Sequence, residues 1–191
     1  AKFLNPRAAR TLFAYLEQPE PQAVRALVKL DLRNTKLGSA PALVSLVRGC
    51  AGLRFLDISR TKLGDDGICD VLRGLIRCPF THSLNPHRHL RHLALEENEL
   101  TLEAAQELLP ALLSTPIETL LLAKNALGDE GVRALAAALS DERRTGGTRL
   151  AKLDLSENKV SAAGLCILVG ALRENRTLRS LDLGGNERVG E

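Results

Sequence analysis

A template of eleven residues recurs along almost the whole chain and constrains the fold more than any other feature of the sequence. In its clearest copy, at residues 150–160, it reads Leu-x-x-Leu-x-Leu-x-x-Asn-x-Val. Five further copies keep this spacing, the last with one extra residue, and the six lie at residues 27–37, 53–63, 90–100, 117–127, 150–160 and 178–189. Copies that begin 26 to 37 residues apart predict one structural unit stacked on itself many times.

The template resembles that of the leucine-rich repeat family, and its long period with a helix in each repeat is similar to the ribonuclease-inhibitor-like subfamily. This resemblance implies an α/β leucine-rich repeat solenoid, a horseshoe with parallel β-strands on the concave face and helices on the convex face. It implies little about function, because the same horseshoe carries inhibitors, receptors, scaffolds and GTPase activators.

Each strand is expected to be followed by a helix. The apolar spacing predicts helices over residues 41–47, 65–76, 102–113, 129–139 and 162–172, and an earlier helix from Asn5 to about Leu16. Two nearly identical turns precede the second and fourth of the five listed helices. In these turns we expect a glycine to permit the backbone conformation that the turn needs. We expect Asp65 and Asp129 to cap the helices.

An amide occupies the ninth place of four template copies, at Asn98, Asn125, Asn158 and Asn186. We expect these amides to be buried and to bond backbone groups that the turning chain would leave unpaired. Thr35 and Thr61 occupy the same place in the first two copies, which predicts a looser or differently hydrated turn there.

Two insertions, at residues 79–89 and 140–149, enlarge the period before the third and fifth strands. They are candidate contact loops or tolerated surface length. Because no polar end cap is visible at either end of the array, we expect the chain to be a fragment of a longer protein.

Charge and cysteine usage narrow the class of protein. The 26 basic and 23 acidic residues give a mixed surface of net charge +3, which predicts no nucleic-acid partner. The sequence contains neither a long apolar run nor a secretory leader, so we predict no membrane partner.

The four cysteines Cys50, Cys69, Cys78 and Cys166 lack the pattern of stapled end caps, which favours reduced thiols and a cytoplasmic location, with nucleus and cytoskeleton as alternatives. Cys69 and Cys166 follow a glycine at the same repeat position, where we expect a buried thiol.

The third, fifth, seventh and eighth template places should face the open concave side. Asp31 and Asp57 occupy one such place on neighbouring strands, with Lys29, Arg33 and Arg60 expected nearby. These cations would keep both carboxylates ionised, which favours a solvated ion network over acid catalysis. Since no phosphate-cradling loop or nucleophile motif appears either, we predict no enzyme activity and no cofactor.

Phe55 and Leu121 are apolar residues at places that should face solvent. Leu121 is expected beside Ala94 and Ala123. Charged residues at Glu96, Glu97 and Lys124 would surround it. An apolar centre with a charged rim is typical of a binding hot spot, although single exposed apolar side chains are also common.

Four histidines lie within a short stretch near Cys78, at His82, His87, His89 and His92. Imidazole and thiolate are zinc ligands, but the spacing matches no zinc finger. A metal site, a pH-sensitive contact and an ordinary polar loop all remain open, and we assign no metal ligand.

These observations favour a non-catalytic protein-protein interaction module that binds a partner protein through its concave face. The predicted contact residues are Phe55, Leu121, His92, Glu96, Glu97, Lys124, Arg33 and Arg60. One alternative is a GTPase-activating or regulatory protein of the Ran GTPase-activating type, although the acidic tail of those proteins is absent and no catalytic arginine is matched. The others are the sensor repeat region of a nucleotide-binding leucine-rich repeat receptor and a cytoskeletal or ciliary scaffold.

Overall fold

A computed structural model describes residues 27–37, 40–50, 52–76, 89–140 and 148–186. Strands and helices alternate through these residues. They are β1 (Lys29–Asp31), α1 (Ala40–Gly49), β2 (Phe55–Asp57), α2 (Gly64–Ile76), β3 (His92–Ala94), α3 (Leu102–Ser114), β4 (Thr119–Leu121), α4 (Gly128–Ser140), β5 (Lys152–Asp154), α5 (Ala162–Leu172) and β6 (Ser180–Asp182). The helix predicted from Asn5, most of both insertions and the end of the last template copy lie outside the described residues.

The six strands form one parallel sheet in the order of the sequence. Each strand covers the third to fifth template places, and equivalent places pair across the sheet, as Leu30 with Leu56 and Leu56 with Leu93. This register confirms the α/β leucine-rich repeat solenoid. The five predicted helices are also confirmed, with ends within two residues of those expected.

The core lies between the sheet and the row of helices. Leucines at the fourth and sixth template places point into it, and Leu56, Leu93 and Leu120 have no exposed surface. Each consecutive pair of helices from α1 to α5 packs together. Because burying one leucine contributes about 1.5–3 kcal/mol, the recurring apolar places supply the main stabilisation of the array. Among the described residues, no helix has the length and apolar character needed to span a membrane.

The predicted amide ladder is present, and Asn125 shows its bonding in full. Its Oδ1 accepts hydrogen bonds from the Asn98 and Leu100 N–H groups, each at 3.0 Å. Its Nδ2 donates to the carbonyls of Leu95 at 3.1 Å and Leu122 at 2.8 Å. One amide therefore joins two consecutive turns. Asn98, Asn158 and Asn186 are buried at equivalent places.

The looser turn predicted at Thr61 is wrong. The Thr61 hydroxyl is buried and donates to the Ile58 carbonyl at 2.8 Å, and the Thr61 N–H donates to Asn98 Oδ1 at 3.1 Å. The shorter side chain closes its own turn, and the amide of the next repeat provides the link between repeats.

The predicted capping role of Asp65 and Asp129 is also wrong. Both lie inside the first turn of their helices and bond forward to the residue that caps the next helix. The Asp65 carboxylate accepts from the Thr101 N–H at 2.8 Å and from its hydroxyl at 2.6 Å. Asp129 accepts from Ser161 at the same two distances. The aspartates thus tie consecutive repeats together on the helical side, while Gly64 and Gly128 take the positive φ that begins each turn.

The described cysteines differ in their exposure to solvent. Cys50 and Cys69 are buried free thiols, and burial raises the pKa of each to about 11. Cys166 is exposed on α5, contrary to prediction, and Val169 on the same helix is 57% exposed. Within the described residues, no further helix packs beyond α5, whereas α2 is followed by α3. Cys78 lies outside them.

We expect Asn125→Ala to destabilise the fold more than Asn158→Ala. The first change leaves the buried N–H groups of Asn98 and Leu100 without partners and should lower the free energy of unfolding by roughly 3 kcal/mol. Among the described residues, Asn158 Oδ1 has no hydrogen-bond partner, so less bonding is lost there. Urea denaturation of both variants measures which of them loses more free energy of unfolding. Gln106→Ala on the exposed face of α3 is the control. A larger loss for Asn158→Ala would contradict the ladder as described.

We expect Asp129→Ala to lower stability at neutral pH but not in acid. Hydrogen bonds from Ser161 hold the pKa of Asp129 below its ordinary value of 3.8. A lowered folded-state pKa stabilises the fold above pH 3.8, and this contribution is lost as the pH falls through the folded-state value. Denaturation curves of wild type and variant should therefore converge below pH 3.8. With Glu130→Ala as control, a difference independent of pH would contradict this role.

Candidate functional site

The predicted contact residues fall into two groups on the concave side of the sheet. Phe55, His92 and Leu121 lie within strands β2, β3 and β4. The charged residues lie in the turns that follow the strands, and they are Arg33, Arg60, Glu96, Glu97 and Lys124. We call the surface formed by the third, fifth and seventh template places of the six copies the concave wall.

Three side chains form a stack on the concave wall. The rings of Phe55 and His92 are parallel to within 8°, with centroids 4.3 Å apart. The Lys29 Nζ lies 4.3 Å from the centroid of the Phe55 ring, in cation-π geometry. Strand register creates this stack, because Lys29 pairs with Phe55 and Phe55 pairs with His92. The sequence prediction omitted Lys29, although it occupies the same template place one copy earlier.

His92 is held neutral by its surroundings. Burial is the largest cause that lowers the pKa of His92 below 6.5, and the positive charges of Lys152, Lys29 and Arg33 add to it against the opposing effect of Asp57. The imidazole is therefore uncharged at pH 7 and stacks as a neutral ring. A neutral ring stacked on Phe55 offers a flat, uncharged surface that suits contact with an apolar or aromatic group.

The structure describes only two of the four clustered histidines. His89 is exposed and His92 lies in the stack, whereas His82, His87 and Cys78 lie outside the described residues. In the part of the chain that the structure describes, no group of three or more His, Cys, Asp and Glu residues could hold a metal ion.

Arg33 binds the two neighbouring aspartates that were predicted to remain ionised. Its Nη2 lies 2.9 Å from Asp31 Oδ2 and its Nε lies 3.1 Å from Asp57 Oδ2. The side-chain hydrogen bond from Arg33 is the largest cause that lowers the pKa of Asp31. Arg60, which was also expected beside this pair, instead binds Glu97. Part of the predicted ion network is therefore present, but Asp57 is buried where a solvated carboxylate was expected, and Arg60 has a different partner.

A ladder of alternating charge follows the eighth template place. The Arg60 Nη2 lies 2.6 Å from Glu97 Oε1, and the Lys124 Nζ lies 3.5 Å from the same oxygen. Lys124 also lies 3.7 Å from Glu157 Oε1. The Arg60 hydrogen bond is the largest cause that lowers the pKa of Glu97. Three predicted contact residues are therefore already engaged in ion pairs with one another.

The predicted apolar centre is smaller than expected. Ala94 and Ala123 are buried, so Leu121 alone of the three is partly exposed. Asp154 lies beside it by strand pairing, and the charge of Asp154 reaches the carboxyl group of Glu96 in the preceding repeat. Burial, followed by the charges of Asp154 and Asp57, raises the pKa of Glu96. Within the described residues, no basic group lies at ion-pair distance from Glu96 or Asp154.

A groove of about 550 Å³ runs along the turns beside the concave wall. We call it the rim groove, and its lining residues are Asn34, Lys36, Arg60, Lys62, Glu97, Glu99 and Lys124. They occupy the eighth and tenth template places. The sequence prediction stopped at the eighth place and so missed Lys36, Lys62 and Glu99. The sequence signal that could have identified them is a charged residue at the tenth template place in each of the first three copies.

Comparison with known proteins agrees with the leucine-rich repeat fold. A family model described as Leucine Rich repeat matches residues 87–109, 114–136 and 174–190. The chain is 32% identical over 161 residues to the ribonuclease inhibitor of Sus scrofa, covering 83% of this chain and 33% of that protein. It is 32% identical over 184 residues to the capping protein, Arp2/3 and myosin-I linker protein 3 of Rattus norvegicus, covering 95% of this chain and 12% of that protein. The chain thus spans a third or less of these relatives.

A solved structure also has a similar fold. The tropomodulin C-terminal domain of Caenorhabditis elegans aligns with a TM-score of 0.59 at 16% identity, over 76% of this chain and 82% of that one. At this identity the similarity concerns the fold alone.

We expect Phe55→Ala to raise the pKa of His92 towards 6.5. Removing the stacked ring exposes the imidazole to water, which reverses the main cause of the shift. NMR titration of the histidine ring protons measures the change, with His92→Gln used to assign the signal. An unchanged pKa in the folded variant would contradict the role of the stack.

Proposed function

We propose that this chain, which belongs to the leucine-rich repeat family with repeats of the ribonuclease-inhibitor-like kind, binds another protein through its concave wall. The observation that carries the proposal is the stack of Lys29, Phe55 and His92. A flat surface of two parallel rings on the solvent side of a sheet contributes little to the core. It offers a partner a contact area that is already ordered, which lowers the entropy cost of binding.

Leu121 supplies a second contact on the same wall. It is a partly exposed apolar side chain paired across the sheet with Asp154, whose charge also reaches Glu96. A basic side chain of a partner would pack its aliphatic stem on Leu121 and place its charge beside these carboxylates. Such a contact would also offset the raised pKa of Glu96, because a nearby cation favours the ionised form.

The proposed role is non-catalytic. Among the acidic groups described on the wall, Asp31 and Asp57 are both bound by Arg33, and the hydrogen bond from Arg33 lowers the pKa of Asp31, which makes that carboxyl group a poor proton donor. Neither the GTPase-regulator alternative nor the receptor-sensor alternative gains a specific observation from the site, and both stay predictions.

The names of the relatives suggest which partners to test first. One relative is an inhibitor of ribonuclease and another is a linker of capping protein, Arp2/3 and myosin-I. We propose a cytoplasmic location with cytoskeletal proteins as the first candidate partners, because that relative aligns over 95% of this chain. Ribonuclease is the second candidate.

The test is a binding assay with a Phe55→Asp, Leu121→Glu double variant. Immobilised chain would be presented to purified capping protein, Arp2/3 complex, myosin-I and ribonuclease, and then to cytosol. We expect the wild type to bind a partner at least about tenfold more tightly than the double variant, because both changes place a charge in the proposed contact.

A matched control carries the same added charge on the convex side. Gln106→Glu and Ala137→Glu lie at exposed positions of α3 and α4 and should leave binding unchanged. Circular dichroism would establish that both variants are folded. Equal binding of a partner by wild type and the concave double variant would contradict the proposal, as would the absence of any bound protein.

A further inference from the structure

We infer that the rim groove is a second binding site, which takes a short extended segment of a partner protein with a pair of acidic side chains near one end and a basic side chain near the other. The groove lies in the turns after the strands, beside the concave wall and distinct from the stack and Leu121. The charged lining residues without partners determine which segment the groove fits.

Ion pairs already occupy the charges in the middle of the groove, where Glu97 and Glu157 balance Arg60 and Lys124. Glu97 binds Arg60 at 2.6 Å and Lys124 at 3.5 Å, so these three side chains hold one another in place. The remaining charged lining residues are Lys36, Lys62 and Glu99, and all three are exposed. No described residue of opposite charge lies at ion-pair distance from any of them.

These three charges are arranged in order along the groove. Lys36 belongs to the first template copy, Lys62 to the second and Glu99 to the third. Since equivalent places of neighbouring copies follow the strand spacing, their backbones lie about 5 Å apart. One end of the groove therefore presents two ammonium groups and the part beyond them presents a carboxylate. The complementary ligand has two negative charges followed by a positive one.

The dimensions suit a peptide. The lining residues come from four consecutive copies, and three strand spacings make about 15 Å. An extended chain covers that length with about five residues at about 3.3 Å each. The groove is open along its length, so such a segment could enter without movement of the fold.

The same order of charge disfavours a uniform polyanion. A nucleic-acid strand laid along the groove would satisfy Lys36 and Lys62 but place a phosphate against Glu99. Like charges at this distance cost affinity, whereas a basic side chain there gains an ion pair. A protein segment of mixed charge is therefore the occupant that the groove fits.

The test compares peptides of equal length by fluorescence anisotropy. One peptide carries two aspartates followed by a lysine, the second carries acidic residues throughout, and the third is the first with its charges reversed. We expect the mixed peptide to bind most tightly to the wild-type chain. In the double variant Lys36→Glu, Lys62→Glu, its affinity should fall about tenfold or more, because two attractive contacts become repulsive.

The chain offers matched substitutions for this experiment. Glutamate already occupies the tenth template place at Glu99 with φ 62°, and lysine occupies it at Lys62 with φ 57°, so charge exchange at these two positions keeps residues that this backbone accepts. Lys159→Glu makes the same change at the tenth place of the fifth copy, which does not line the groove. It should leave peptide affinity unchanged.

Glu99→Lys should reverse the preference. The groove would then present three unpaired ammonium groups, so the all-acidic peptide should bind more tightly than the mixed one. Equal affinity of the three peptides for the wild type would overturn the inference. So would binding of a single-stranded oligonucleotide or of pyrophosphate as tightly as the mixed peptide.

The two proposals fail separately. The Phe55→Asp, Leu121→Glu variant should bind the mixed peptide as the wild type does, because neither residue lines the groove. Loss of peptide affinity in that folded variant would overturn the rim groove as a distinct site and leave the concave wall unaffected.

Discussion

The register between neighbouring repeats is the constraint on which the rest of this structure depends. Each strand is three residues long and cannot by itself hold a sheet together. The buried amides add the missing bonds, as when Asn125 joins the turn of its own copy to that of the preceding one. On the helical side, Asp65 and Asp129 add a second set of links between repeats. Equivalent template places are therefore aligned across the sheet.

Alignment of this kind turns a pattern along the sequence into columns on the surface. The third-place column produces the stack of Lys29, Phe55 and His92. The eighth-place column produces alternating ion pairs, because Arg60, Glu97 and Lys124 follow one another at the strand spacing. A change at one place thus alters a row of contacts, and the chemistry of the surface can vary while the core leucines stay constant.

The two proposed sites differ in how binding energy would be gained. The stack and Leu121 offer apolar and aromatic area that is already ordered, which favours affinity. The rim groove offers ordered charge in solvent, where each pair is screened and contributes little alone. Charge order in such a place acts mainly on the choice of partner and on the rate of encounter. Together they would let a rigid surface select among proteins that share an apolar anchor.

The sequence by itself determined the architecture of this protein. Template spacing was enough to predict parallel strands, buried amides and five helices to within two residues. The reason is that leucines recurring at a fixed period are buried when equivalent repeats stack on one another. It also indicated which places face the concave wall. That information is local, since it depends on the alternation of side chains along three-residue strands and on helical periodicity.

Only the tertiary structure decided which charged groups are partners. Arg60 and Glu97 are 37 residues apart in the chain, and the template puts them in one column without deciding that Arg60 turns towards Glu97 and away from the aspartates. The same reason explains why Asp129 bonds Ser161 of the next repeat instead of its own helix. It also explains why Ala94 and Asp57 are buried at places that were expected to be open. Side-chain direction and neighbour packing settle these questions, and both arise only when repeats stack.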